Sequence, residues 1–240
     1  MTIYAVGDIH GQKSFLDDAL ARIDADDGRD SEVIFLGDFT DRGPDSRGVI
    51  ETLVRGQQAG RRWTCLKGNH DRMFRNFLTT SDIRDSNIKS GLPWTDERLG
   101  GITTLQSYGV STGPGHSVRA MQREAQALVP ATHQDFLANL SLYAERGRYL
   151  FVHAGIRPGL ALADQVEDDL IWIRDPFLTS PDPHPWIVVH GHTALKTATH
   201  FGNRIDLDSG AGYGRPLSVA AFDGDGVFLL TEGGREPLRP

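Results

Sequence analysis

Through residues 3–80, short apolar runs alternate with amphipathic stretches, and every apolar run ends in a polar cluster. Ile3-Tyr4-Ala5-Val6 leads into Gly7-Asp8-Ile9-His10-Gly11. Phe15, Leu16, Ala19, Leu20 and Ile23 then recur at helical spacing, and Asp26-Asp27-Gly28 closes that helix. Residues 32–36 read as a second strand, followed by Gly37-Asp38-Phe39-Thr40-Asp41-Arg42-Gly43-Pro44. Val49, Ile50, Leu53 and Val54 mark a second helix, with Asp45 or Ser46 as its N-cap and Gly60 at its end. A third strand over 62–66 runs into Lys67-Gly68-Asn69-His70-Asp71, then a helix carrying Met73, Phe74, Phe77 and Leu78. Such alternation predicts parallel strands joined by right-handed crossovers.

The pattern changes over residues 80–148. Residues 81–101 are polar and rich in Asp, Ser and Gly, with a mobile stretch expected at 85–93. Weaker helical patterns follow at about 98–108, 117–128 and 133–140; residues 80–148 are read as a helical insertion lying over the site of a single catalytic domain, residues 1–240, with ordinary covering helices as the alternative. Apolar strands return at 149–152, before His153-Ala154-Gly155, and at 186–189, before His190-Gly191-His192-Thr193. Residues 168–176 read as a connection between them. Strands at 203–207, 217–223 and 226–230 complete the chain, the last two joined by the hairpin signal Asp223-Gly224-Asp225-Gly226. The Gly/Pro/Arg-rich tail from 233 is expected to fray.

Composition narrows the function. A formal net charge of −7 argues against a protein held on nucleic acid by a broad basic surface. An anionic substrate still fits, because two bound divalent cations would add about four positive charges locally. The single cysteine, Cys65, lies in an apolar run and reads as a small buried hydrophobe; no intrachain disulfide exists. No apolar run approaches the ~20 residues of a membrane span, and Met1-Thr2 passes directly into the first strand, so a cytoplasmic protein without leader or membrane partner is expected.

The chemistry lies at the strand ends: Asp8 and His10, Asp38 and Asp41, Asn69 and His70, His153, and His190 and His192. Five of the nine histidines are there. In open α/β sheets the crevice beyond the strand C-termini is where ligands bind. Asp, His and Asn offer oxygen and imidazole donors without thiolate, a set suited to Mn²⁺, with Fe or Zn²⁺ also fitting. Six such ligands exceed one tetrahedral zinc and suit two ions sharing a carboxylate. Ions ~3.5–4 Å apart clamp an in-line displacement at phosphorus and lower the pKa of a bridging water, so that hydroxide exists near neutral pH. A nearby histidine can protonate the leaving oxygen; an Asp bonded to it would orient the ring and keep it protonated. Arginine suits the remaining phosphate oxygens. Asn69 can also be read as a helix cap, and His190 and His192 share one strand face, so spacing alone does not choose between them. Tyr213 lies either at the site's mouth or on a plain surface loop; Trp172 reads as core, and His116, His133, His184 and His200 as solvated.

Together, "GDIHG" at 7–11, "GDFTDRG" at 37–43, "GNHD" at 68–71, "HAG" at 153–155 and "HGHT" at 190–193 resemble the phosphoprotein phosphatase family of calcineurin-like, two-metal phosphoesterases. "WIRDPFL" at 172–178 looks most like its bacterial and phage branch. The resemblance implies an α/β fold of two mixed β-sheets packed as a sandwich, flanked by helices. It implies that Asp8 and His10 hold the first metal, that Asp38 bridges, and that Asn69, His153 and His192 hold the second. His70 becomes the general acid paired with Asp41; Arg42 and Arg174 bind phosphate. Lys67 stands where such phosphatases often carry arginine, and Asp71 where many eukaryotic members carry Glu. The implied function is serine/threonine phosphatase activity on a phosphorylated protein or small phosphoester. The alternative is a symmetrical dinucleoside-polyphosphate (diadenosine tetraphosphate) hydrolase. Asp41 and Lys67, which those hydrolases typically lack, tip this reading toward the monoesterase.

Overall fold

The computed structural model describes every residue except Met1, Asp27 and Asp225. Two mixed sheets pack face to face. The first has the order β11-β10-β9-β1-β2-β3, formed by β1 (Ile3–Val6), β2 (Glu32–Phe35), β3 (Trp63–Cys65), β9 (Val219–Asp223), β10 (Gly226–Thr231) and β11 (Gly234–Pro237). The second has the order β4-β5-β6-β8-β7, formed by β4 (Tyr143–Arg146), β5 (Tyr149–Val152), β6 (Ile187–His190), β7 (Thr199–His200) and β8 (Arg204–Asp206). β1, β2 and β3 run parallel to one another, as do β5, β6 and β8; antiparallel strands complete both sheets. This is the sandwich the resemblance implies, and it replaces the single parallel sheet suggested by alternation alone.

The period-two alternation of side chains builds the layers. In β2, Val33 and Phe35 face the helices, while Ile34 and the following Leu36 enter the space between the sheets. In β5, Tyr149 and Phe151 point into the sandwich and Leu150 and Val152 outward. The outer face of the first sheet is covered by α1 (Lys13–Ala25), α2 (Ser46–Gln58) and α3 (Asn69–Thr80), with α4 (Gly101–Ser107), α5 (Val118–Leu128) and α6 (Ala131–Ala138) packed on them. α7 (Glu167–Trp172) packs on the outer face of the second sheet. Asp45 caps α2, accepting from Gly48 N–H at 2.7 Å.

Several sequence expectations shift. Residues 168–176 were expected to be a connection, yet α7 forms there. The tail expected to fray forms β11, whose Arg235 holds Asp26 and Asp223. β4 forms inside the stretch read as a helical insertion, and β7 where no element was expected. His133 is buried rather than solvated: it bonds the Tyr108 hydroxyl at 2.9 Å and Glu51 Oε2 at 2.8 Å, tying α6 to α2. β9 and β10 pair as the hairpin signal implies, with Asp223 opposite Gly226; Asp225 of that turn lies outside the described residues. Asp27 of the first helix stop also lies outside them; α1 ends at Ala25.

Candidate metal centre

All six parallel strands deliver polar residues to one place. Asp8 follows β1, Asp38 follows β2, Asn69 follows β3, His153 follows β5, His192 follows β6 and Asp208 follows β8. The turns there are strained. Six non-glycine residues have positive φ among the described residues, and five are His10, Asp38, Asp41, Arg42 and His192, between 49° and 74°. Such conformations persist only where surrounding contacts over-determine them, and they cluster at functional sites. Glycine makes the close approaches: a Cβ on Gly68 would collide with Asp38, and one on Gly191 with Asp8.

The hydrogen bonds show which atoms face inward. His10 Nδ1 bonds Thr40 O at 2.9 Å and His153 Nδ1 bonds Leu36 O at 2.8 Å. A carbonyl only accepts, so both rings carry their proton on Nδ1; the His153 Nε2 lone pair faces the centre, the usual arrangement of a metal-ligating histidine, while that of His10 accepts from Arg42 Nη1 at 2.7 Å. His153 Nε2 then lies 3.0 Å from Asn69 Oδ1 and 3.5 Å from Asp38 Oδ1. Electron-pair donors thus converge with no hydrogen between them, and a cation resolves that conflict. Donor atoms of Asp38, His153 and His192 cluster within 4.8 Å, as do those of His10, Asp38 and His70, so Asp38 belongs to both groups. Asp8 lies beside them: its Oδ2 accepts His192 N–H at 3.0 Å, while its buried Oδ1, like His192 Nε2, has no hydrogen-bond partner among the described residues.

Electrostatics agree. Burial, then repulsion by Asp208 and Asp38, holds the Asp8 carboxyl well above the ordinary carboxylate range. Burial, then the Arg42 charge, pulls His10 well below the ordinary imidazole range; burial and His153 do the same to His192. Two divalent ions would relieve this carboxylate repulsion and bind the neutral imidazoles, so the donor set fits two hard or borderline cations.

Asn69 is not a helix cap. It is the first residue of α3, and Asp71 Oδ2 instead accepts Gly68 N–H at 3.1 Å. His190 is buried, with Nδ1 3.9 Å from Asp206, and does not line the cavity. His70 Nδ1 bonds Asp41 Oδ2 at 2.6 Å, and its Nε2 faces the cavity, 3.3 Å from Arg42 Nη2. The expectation that Asp41 keeps His70 protonated needs correction for the protein alone. Burial outweighs the neighbouring charges, pulling His70 down to about 3 and pushing Asp41 up to about 7.

A cavity of about 390 Å³ opens on this centre, and its lining includes Arg42, Arg174, Arg215, Trp172, Tyr213 and Asp208. Tyr213 is 63% exposed, with the Arg42 guanidinium 4.9 Å above its ring, so it is both surface loop and mouth. Trp172 is half-buried and sets its edge against His192, rather than being plain core. Lys67 does not reach the cavity: its Nζ binds Glu167 Oε2 at 3.0 Å. Sequence reasoning missed Asp208 and Arg215. Asp208 follows a strand in Leu207-Asp208-Ser209-Gly210, the signal used for the candidate ligands; Arg215 carries no such signal.

Known proteins share this architecture. A model of the calcineurin-like phosphoesterase family matches residues 1–225. The chain is 27% identical to an asymmetrical bis(5′-nucleosyl)-tetraphosphatase, PrpE, of Geobacillus sp. (strain WCH70), over 92% of this chain and 91% of that one. It is 39% identical to a symmetrical bis(5′-nucleosyl)-tetraphosphatase of Delftia acidovorans, over 87% and 71%. Serine/threonine-protein phosphatase 1 of Salmonella typhimurium is 28% identical, over 91% and 90%. A solved structure titled as a putative diadenosine tetraphosphatase superposes with a TM-score of 0.65 at 22% identity, over 99% and 94%.

Proposed function

The chain belongs to the calcineurin-like phosphoesterases, and from that premise we propose that this metal-dependent hydrolase cleaves dinucleoside polyphosphates. The third cavity arginine, Arg215, carries the reading. One phosphoryl group is well served by two guanidiniums, Arg42 and Arg174; a third suits a chain of phosphates. Exposed Tyr213 and half-buried Trp172 line the cavity, where an aromatic ring can stack a base. Two relatives carry tetraphosphatase names. Asp41 and Lys67 had tipped the sequence reading the other way, but Lys67 is engaged with Glu167 and no longer weighs for a monoesterase.

In this reading Asp8, His10 and Asp38 hold one ion, and Asp38, Asn69, His153 and His192 the other. The ions, when bound, supply positive charge against the phosphoryl oxygens and lower the pKa of water; Mn²⁺ is the proposed metal. Thr40 O and Leu36 O fix the tautomers of His10 and His153. Arg42 and Arg174 orient the phosphate under attack; the anionic substrate beside His70 favours the imidazolium that burial disfavours in the protein alone, and Nε2 then passes its proton to the departing oxygen while Asp41 holds the ring at Nδ1.

The His70–Asp41 pair favours a second reading, a phosphomonoesterase acting on phosphoserine or phosphothreonine. An alkoxide needs a proton on leaving, whereas a nucleotide phosphate departs as a weak base. The Salmonella relative bears such a name. Comparing kcat/KM for diadenosine tetraphosphate and a phosphoserine peptide tests both readings. The dinucleotide is expected to be preferred by at least about 10-fold, a margin of roughly 1.4 kcal/mol. A faster phosphopeptide overturns the proposal in favour of the second reading.

A further inference from the structure

Asp41 has partners from a part of the chain that contributes nothing to the metal groups. Its Oδ2, which bonds His70 Nδ1, also accepts the Trp94 indole N–H at 2.7 Å. Its Oδ1 accepts the Thr104 hydroxyl at 2.7 Å. Having donated its proton, Thr104 Oγ1 accepts the Asp41 backbone N–H at 2.8 Å and lies 3.0 Å from Ser46 Oγ. Trp94 and Thr104 are buried and outside the cavity lining. Both lie in or just before α4, more than 50 residues after Asp41.

Trp94 is itself held rigidly. Its ring stacks on Phe74 at 5.7 Å and tilts against Phe77 at 5.0 Å, both on α3, the helix that begins beside His70. A Cβ on Gly101 would collide with the indole, so the chain leaves room for it there. An indole N–H in a core needs only some acceptor, and a carbonyl would serve. Here it is given to the carboxylate oxygen that fixes His70. Asp41 sits at φ 74°, a conformation that its surroundings must enforce.

We propose that Trp94 and Thr104 are positioning residues for the proton donor: they hold Asp41 with one oxygen on His70 Nδ1, so that Nε2 faces the leaving oxygen. The inference rests on the His70–Asp41 acid reading above. Without either hydrogen bond Asp41 can rotate, and the imidazolium ring that donates Nδ1–H to it loses its fixed direction. As the ester P–O bond breaks, its electron pair stays on the leaving oxygen and takes up the proton from Nε2; a misdirected ring delivers that proton poorly.

Trp94→Phe and Thr104→Val remove one hydrogen bond each and keep most of the packing volume. Turnover is measured on phenyl phosphate and 4-nitrophenyl phosphate, whose departing oxygens differ in basicity, with His70→Asn as reference. His70→Asn is expected to lose about 10²–10⁴ in kcat on the phenyl ester and much less on the nitrophenyl ester. Trp94→Phe and Thr104→Val should show the same selectivity, losing about 10-fold or more on phenyl phosphate alone, within the acid's share. Thr104→Ser, which keeps the hydroxyl, should restore the rate. The low-field imidazole N–H proton resonance of the His70–Asp41 bond should shift in the two variants and return in Thr104→Ser. Equal losses on both esters, or none, in variants that fold overturn the positioning role while His70→Asn stays selective. If His70→Asn is itself unselective, or the parent enzyme cleaves only the nitrophenyl ester, the acid reading falls instead. Should Thr104→Val fail to fold, Trp94→Phe alone decides.

Discussion

At the scale of single residues, backbone strain and side-chain convergence occur at the same positions. His10, Asp38 and His192 sit at positive φ and also contribute donor atoms to the two groups. Left-handed backbone at non-glycine residues costs of order 1–3 kcal/mol each, so stability has been given up where ligands must converge. Gly191→Ala is expected to push Asp8 aside and weaken uptake of the first ion about 10–100-fold, the range for disturbed supporting contacts. Metal titration of a folded Gly191→Ala variant checks this; native affinity at both sites would refute it. Asp38→Asn should weaken both ions together, and a variant that still takes up two Mn²⁺ at native affinity rejects the shared carboxylate. The candidate ligands were legible because each follows an apolar run by one to four residues. Trp94 and Thr104 were not, since a tryptophan in a polar stretch reads as core and its contact with Asp41 crosses 53 positions of sequence.

At the scale of elements, the buried strands and their helices followed from periodicity, because their side chains are sorted by layer. The misses have one cause. β11 is held by tertiary contacts that its own composition does not announce. Its Arg235 grips Asp26 at 2.9 Å, and Asp26 accepts the Tyr4 hydroxyl of β1 at 2.8 Å, joining β11, the end of α1 and β1. Burial, then the bond to Asp26, pushes the Tyr4 hydroxyl up to about 12. A folded-state pKa raised above the unfolded value of 10 gives stability that is fully present below pH 10 and lost as pH rises toward about 12. Thermal unfolding against pH should therefore show Tyr4→Phe destabilised by about 1 kcal/mol at neutral pH, with a shallower alkaline decline. A variant with the parent's alkaline slope would mean that the clamp does not carry the effect. α7 was missed for a related reason: six residues are too few to show a helical period, and its place is set by Leu170 and Ile171 packing on the second sheet.

At the scale of the molecule, the sandwich aims the parallel strands of both sheets at one crevice, which is why candidate ligands 184 residues apart, Asp8 and His192, touch. The order of motifs announced this convergence, but not which residues line the cavity around it, since that depends on how loops fold over the strand ends. The crevice gathers buried carboxylates in a chain of net charge −7, so divalent ions should stabilise the fold as well as equip it. At about 100 times Kd, one bound ion adds roughly 2.7 kcal/mol, and the melting temperature should rise on adding Mn²⁺ to stripped protein. An unchanged melting temperature would show that the centre does not bind it. The most direct test of the two-ion centre is turnover of 4-nitrophenyl phosphate by chelator-stripped enzyme as Mn²⁺ is returned. The expected result is no activity at first, then recovery that saturates at two equivalents per chain. Full activity in excess chelator would contradict it.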